Sequence, residues 1–387
     1  MIPYGRQDVT QADIDAVVEV LRSDFLTQGA AVPRFEGAVA ALVGAAYAIA
    51  VNSATSALHI ACLALDLGPG DVLWTVPNTF VASANCALYC GASVDFVDID
   101  PHTWNLSVAA LEHKLAQAAK AGRLPKIVVP VHFAGQPSDQ ELIWNLAQQY
   151  GFKVIEDASH SVGAARQNEA VGSCRWSQVT VFSFHPVKII TSAEGGMALT
   201  RDRELAARMV MLRSHGVTRE LARLGCADPP PWYYEQQMLG FNYRMTDVHA
   251  ALGASQLTRL GEYVERRNAL ARRYDAALQD LPLQLPTVRS ENRSAFHLYS
   301  VHLDRSRGGE YHRKVFDELR KRGIGVNLHY MPVHLQPYYR KLGFQRGQFP
   351  QAEIHGDSAM TLPLYAAMTD QQQDQAIGAL CGVLRDA

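Results

Sequence analysis

The sequence lacks any apolar stretch long enough to span a bilayer, and it lacks basic runs, low-complexity tracts and internal repeats. Those absences argue against a membrane-spanning helix and against a nucleic-acid-binding face. The formal charge is only -2 over 387 residues, the balance expected of an ordinary soluble globular enzyme. Residues Met1-Ile2-Pro3-Tyr4-Gly5-Arg6-Gln7-Asp8 contain no apolar leader core, and the expectation is a cytoplasmic protein. Cysteine is scarce and scattered, at Cys62, Cys86, Cys90, Cys174, Cys226 and Cys381. Cys86 and Cys90 are spaced to share a helix face, but no second Cys or His pair completes a metal site. Buried small hydrophobes and no metal are expected.

What the chain does have is 48% hydrophobic residues, enough for a sizeable core, at a length that fits about two domains. Thr10 to Arg22 opens with a capping-box-like start at Asp13 and reads as an amphipathic helix. From Phe35 to about Asp202, helical patterns alternate with short apolar runs: 48–51, 72–76, 93–97, 126–131, 153–155, 179–183 and 196–199. That alternation predicts a mostly parallel sheet with helices on both faces. Residues 1–245 are expected to form this large domain. Val217 to Phe241, with Pro229-Pro230-Pro231 and Trp232-Tyr233-Tyr234, reads as a long irregular loop. Residues 246–387 are expected to hold a bridging helix from Asp247 to Leu278 and a smaller α+β domain. Its elements are strands at 296–303 and 326–330 and helices at 311–322 and 370–384.

Lys188 stands in Phe182-Ser183-Phe184-His185-Pro186-Val187-Lys188, just past an apolar strand-like run. A partly desolvated amine there can act as a nucleophile toward a carbonyl carbon. Upstream, Lys153-Val154-Ile155 leads into Glu156-Asp157-Ala158-Ser159-His160, so a buried strand would deliver Asp157 to the edge where open α/β sheets bind ligands. A pyridoxal phosphate site needs that pair, an amine for covalent attachment and a carboxylate to keep the pyridine nitrogen protonated. Singly, each has a plainer reading: a solvated turn lysine and a helix-capping aspartate.

The surroundings add further candidates. Asn52-Ser53-Ala54-Thr55-Ser56 follows a strand and opens a helix, a turn whose free N–H groups suit a phosphate, with the Ser183 hydroxyl placed to join them. Phe80, after Pro77-Asn78-Thr79, either stacks on a flat ring or packs in the core. His160 either meets a ligand oxygen or caps a following helix. His185 and His215 either contact substrate or are satisfied structural histidines.

Together with Leu26-Thr27-Gln28-Gly29, Glu194-Gly195-Gly196, Phe241-Asn242-Tyr243-Arg244-Met245 and His329-Tyr330, these motifs resemble, in order and over nearly the whole chain, the DegT/DnrJ/EryC1/StrS sugar aminotransferases. The resemblance implies the aspartate aminotransferase fold, fold type I of the pyridoxal phosphate enzymes, with a mostly parallel seven-stranded sheet. It implies that Lys188 holds pyridoxal 5'-phosphate as an internal aldimine, with pyridoxamine phosphate as the intermediate carrier. Asp157 is then the pyridine partner, and His160 lies near the phenolic oxygen. Phe80 stacks on the ring, while Ala54, Thr55 and Ser183 hold the phosphate. Asn242 resembles the asparagine that such enzymes donate to the neighbouring subunit's phosphate, which implies a homodimer with shared sites.

Within the family, Ser53-Ala54-Thr55-Ser56-Ala57-Leu58, Asp157-Ala158-Ser159-His160 and Arg213-Ser214-His215-Gly216 resemble the branch serving pseudaminic acid biosynthesis. That branch aminates C4 of UDP-2-acetamido-2,6-dideoxy-β-L-arabino-hex-4-ulose, with L-glutamate as donor. By the same likeness Tyr4, Asp24, Phe25, Leu26, Thr27, His329, Tyr330, Met331 and Pro332 line the sugar-nucleotide site, although Asp24-Phe25 departs from the branch pattern. The competing expectations are an aminotransferase for another nucleotide keto-sugar and a non-catalytic regulator. A related sugar 3-dehydratase has His where Lys188 stands.

Overall fold

A computed structural model describes residues 1–386. Seven strands form its central sheet: β1 (Tyr47–Val51), β2 (Val72–Thr75), β3 (Ser93–Phe96), β4 (Ile127–Val129), β5 (Lys153–Asp157), β6 (Val179–Ser183) and β7 (Gly196–Thr200). Each coincides with one of the apolar runs. Their spatial order is β1-β7-β6-β5-β4-β2-β3. Only β7 runs antiparallel to its neighbours, β1 and β6; every other pairing is parallel. Strands covered on both faces need apolar side chains in every register, and all residues of β4, β6 and β7 are buried.

Helices supply that cover. In chain order they are α1 (Gln11–Leu21), α2 (Ala31–Val43), α3 (Ala54–Ala64), α4 (Ala82–Tyr89), α5 (Val108–Lys120), α6 (Gln140–Tyr150) and α7 (Arg203–Arg213). One apolar cluster joins the sheet to α3–α6, and another joins Phe182, Met197 and Leu199 to α2. The capping box at Thr10 and Asp13 forms as expected. Burial pushes the Asp13 carboxyl up, but hydrogen bonds from Ser255, Thr10, Arg259 and Gln256 outweigh it and hold the group below the usual carboxylate range.

The expected single helix 247–278 is two, α8 (Asp247–Leu257) and α9 (Leu260–Leu278). They break at Arg259, whose guanidinium turns back to Asp13 at 2.6 Å. Helix α8 packs on α1 and α2, whereas α9 runs on to a third apolar cluster of residues 270–384 joined by Ile2. That cluster sits under strands β8 (Leu283–Gln284), β9 (Tyr299–Leu303) and β10 (Ala359–Leu362), helix α10 (Gly309–Lys321) and the closing helix Asp370–Asp386. The strand expected at 326–330 does not form. Only Asn327 pairs, with Thr361, because His355 takes the His329 carbonyl and Thr361 the His329 side chain. The loop after α7 is irregular as expected, apart from a two-residue pairing of Val217–Thr218 with Glu235–Gln236 and a 3-10 turn at Leu221–Arg223. Cys62, Cys86, Cys90 and Cys174 are buried, while Cys226 and Cys381 are partly exposed. Among the described residues no helix is long and apolar enough to cross a membrane.

Candidate active site

Parallel strands end on one edge, so β1, β5 and β6 bring three separated motifs together there. Strand β1 hands over to Ser53, which caps α3 by accepting a hydrogen bond from Ser56 N at 3.1 Å. Ala54 and Thr55 thereby present unpaired N–H groups at the first turn of an 11-residue helix. Gly196 lies against this turn so closely that a side chain there would strike Ala54 N and the Ser53 carbonyl. The glycine is what lets β7 pass beneath the cradle. Strand β5 ends at Asp157 and β6 at Ser183, five residues before Lys188. A turn closed by Lys188 N to His185 O at 2.9 Å aims that lysine back over the edge.

Tyr4, Ala54, Thr55, Phe80, Asp157, His160, Ser183, Lys188, His329 and Tyr330 all line one cavity of about 430 Å³. Burial pushes the Lys188 amine down to about 8, with the nearby Asp157 charge opposing the shift. Asp157 caps no helix. Its Oδ1 accepts from Ser159 N at 3.1 Å and its Oδ2 from Ser83 Oγ at 2.6 Å. No helix follows His160 either, so its capping alternative falls away as well. The His160 Nε2 is 3.1 Å from the Tyr330 hydroxyl, and its buried Nδ1 has no partner. Phe80 is 59% exposed, which rules out the core-packing alternative; its ring faces the cavity beside Tyr330.

Three histidines surround the lysine. His160 and His297 have ring centroids 4.4 Å apart, and burial, then the Lys188 charge, holds both well below the usual range. The same causes bring His329 to about 3. Near neutral pH these imidazoles are uncharged, so they can donate or accept a hydrogen bond without adding positive charge beside the amine. The segment carrying His329 is held from behind. His355 donates from Nε2 to the His329 carbonyl at 2.7 Å and accepts at Nδ1 from His302 Nε2 at 3.0 Å. Trp104 stacks on His302 at 4.3 Å.

Seven of the expected residues lie outside this cavity. Asp24, Phe25 and Leu26 are exposed, and Thr27 pairs with Thr246. The Asp247 carboxylate takes the N–H groups of Gly29 and Ala31 at 2.8 and 2.7 Å, which pins that loop to α8. Asn242 is exposed and pairs with Ser214; Met331 is exposed, and Pro332 packs against Gly356. His185 lines the cavity, whereas His215 does not. Sequence reasoning missed Thr79, Ser83 and His297. The hydroxyls of Thr79 and Ser83 are four positions apart, a readable helical spacing, whereas nothing local marks His297.

Residues 7–381 match the model of the DegT/DnrJ/EryC1/StrS aminotransferase family. The chain is 38% identical to the spore coat polysaccharide biosynthesis protein SpsC of Bacillus subtilis (strain 168), covering 100% of this chain and 98% of that one. Among solved structures it is similar to Helicobacter pylori PseC, an aminotransferase involved in the biosynthesis of pseudoaminic acid. The TM-score there is 0.91 at 29% identity, over 100% of both chains. Spr1654 from Streptococcus pneumoniae, in its PLP form, gives a TM-score of 0.90 at 27% identity, over 100% of this chain and 99% of that one.

Proposed function

Because the chain belongs to the DegT/DnrJ/EryC1/StrS aminotransferase family, whose cofactor is pyridoxal phosphate, we propose that it aminates a nucleotide-linked 4-keto-6-deoxy sugar. The substrate we propose is UDP-2-acetamido-2,6-dideoxy-β-L-arabino-hex-4-ulose, with L-glutamate as donor and UDP-4-amino-4,6-dideoxy-N-acetyl-β-L-altrosamine as product, a step of pseudaminic acid biosynthesis. The observation that carries the reaction is the convergence of Lys188, Asp157 and the α3 N-terminus on one cavity. The likeness to PseC favours the substrate. A second reading, another nucleotide keto-sugar, draws on the higher identity to SpsC, a protein of spore coat polysaccharide biosynthesis.

The residues present fit the cofactor. The first turn of α3 and the Thr55 and Ser183 hydroxyls would hold its phosphate, Asp157 the proton of its ring nitrogen, and His160 its phenolic oxygen. Phe80 supplies an apolar face. When bound, pyridoxal phosphate supplies an electron sink and carries the amino group between substrates. Lys188 would hold it covalently and, once displaced, would move the proton at the donor's Cα and later at sugar C4. Tyr4, His329 and Tyr330 would meet the sugar, with neutral imidazole beside the carbonyl being reduced to an amine.

Lys188 must be neutral to attack. Covalent capture of pyridoxal phosphate by the apo protein, trapped with borohydride, is therefore expected to rise about tenfold per pH unit well below 8 and to level off above it. A profile still rising steeply above pH 9 would place the amine in ordinary solvent instead.

Asn242 is exposed and does not line its own chain's cavity, and Ile14, Leu21, Phe25 and Leu26 leave apolar side chains exposed. Both features support a homodimer in which Asn242 completes the partner's phosphate site and the 24–27 loop its sugar site. The substrate assignment is tested by scanning the absorbance of the holoenzyme with L-glutamate, then with candidate UDP-4-keto sugars. Loss of the covalent-cofactor band with glutamate and its return with the L-arabino sugar is expected. Return with a different keto-sugar alone would move the protein to the second reading.

A further inference from the structure

We infer that Ser83, oriented by Thr79, is a positioning residue that fixes the Asp157 carboxylate against the cofactor's ring nitrogen; this rests on the role proposed for Asp157. The three groups lie on different parts of the edge, with Thr79 in the turn after β2, Ser83 in the first turn of α4 and Asp157 at the end of β5. All three are at least nine-tenths buried.

Hydrogen-bond bookkeeping fixes the direction of the chain. An ionised carboxylate only accepts, so the single Ser83 hydroxyl proton goes to Asp157 Oδ2 at 2.6 Å. That leaves Ser83 Oγ free to accept, and Thr79 Oγ1, 2.8 Å away, supplies the proton. The competing Phe80 carbonyl is farther from Ser83 Oγ, at 3.4 Å. On the other side, Ser159 N occupies Asp157 Oδ1 at 3.1 Å. The carboxylate is thus gripped at both oxygens from the protein side and cannot turn about its terminal torsion without breaking a charge-assisted bond. Its remaining lone pairs are presented to the cavity.

The arrangement ties two helix–strand units together across β4, which separates β2 from β5 in the sheet. Ser83 hydrogen-bonds to neither Lys188 nor residues 53–55 and does not line the cavity, so its effect on cofactor chemistry has to pass through Asp157. That separates a positioning role from a packing role.

The test uses the full-length protein with Ser83→Ala and Thr79→Val, each in the native and the Asp157→Asn background. Pyridoxal phosphate is titrated into the apo forms, and the pH dependence of the bound-cofactor absorbance is recorded, with the apo thermal midpoint as the check on folding. Ser83→Ala is expected to weaken cofactor binding about tenfold and to shift the absorbance profile when Asp157 is present. In the Asp157→Asn background the loss should fall below about threefold, because the interaction being removed is shared. Thr79→Val, nearly isosteric, should act in the same direction with a smaller loss, and it serves if Ser83→Ala does not fold. Equal losses in both backgrounds, or no loss at an unchanged midpoint, overturn the inference alone. If Asp157→Asn by itself leaves both readouts unmoved, the role of Asp157 falls and the inference with it.

Discussion

Lys188→Ala is expected to abolish multiple turnover, with the rate of transamination down by about 10⁴-fold or more, the upper end of what a positioned proton-transfer group contributes. The loss has two sources. Covalent capture of the cofactor disappears, because no other lysine lines the cavity. Proton movement at the donor's Cα and at sugar C4 loses the one amine that burial has brought to about 8, close to working pH. The neutral histidines do not replace it. His160 and His297 are held well below their usual range by burial and by the Lys188 charge; when that charge is removed, burial still disfavours their protonated forms. Borohydride trapping followed by mass spectrometry measures the first loss, and multiple-turnover assays measure the second. Sustained turnover by the variant would overturn the assignment of Lys188.

Asp157→Asn is expected to lower turnover by about 10²–10³-fold, the usual effect of deleting one preorganised group that stabilises charge developing in the transition state. A neutral amide cannot hold the ring nitrogen protonated, so the electron sink weakens even though the cofactor still attaches to Lys188. This split distinguishes the two variants, since Asp157→Asn should retain borohydride-trappable cofactor whereas Lys188→Ala should not. The geometry makes Asn a clean substitution, because it preserves an acceptor for Ser159 N and removes the charge that Ser83 satisfies. An Asp157→Asn protein turning over at the native rate would show that the carboxylate is structural.

The motifs that carried the reading are those in which backbone and chemistry are local. Seven apolar runs became the seven strands because a sheet covered by helices on both faces favours mostly apolar strands, a pattern visible without partners. Lys188 and Asp157 were legible for the same reason, each standing just past such a run. Ser83 was missed because its meaning is set by a carboxylate 74 positions away. His297 comes from the loop before β9 and meets His160, far upstream in the chain, only through the tertiary fold. The strand expected at 326–330 had the right composition, but His355 takes the His329 carbonyl that a ladder would need.

By itself, the sequence determined the mostly parallel α/β architecture and the family resemblance, and it singled out Lys188 and Asp157 as the candidate nucleophile and its acidic partner. Apolar periodicity and strand-end chemistry depend on residues near one another in the chain. The tertiary structure alone decided how the Lys188 amine is tuned, which hydroxyls grip Asp157, and which expected residues face this chain's own cavity. Asn242 and the 24–27 loop are exposed and lie outside it. Burial, hydrogen-bond direction and field strength are properties of groups distant in sequence and close in space, so they exist only once the chain has folded.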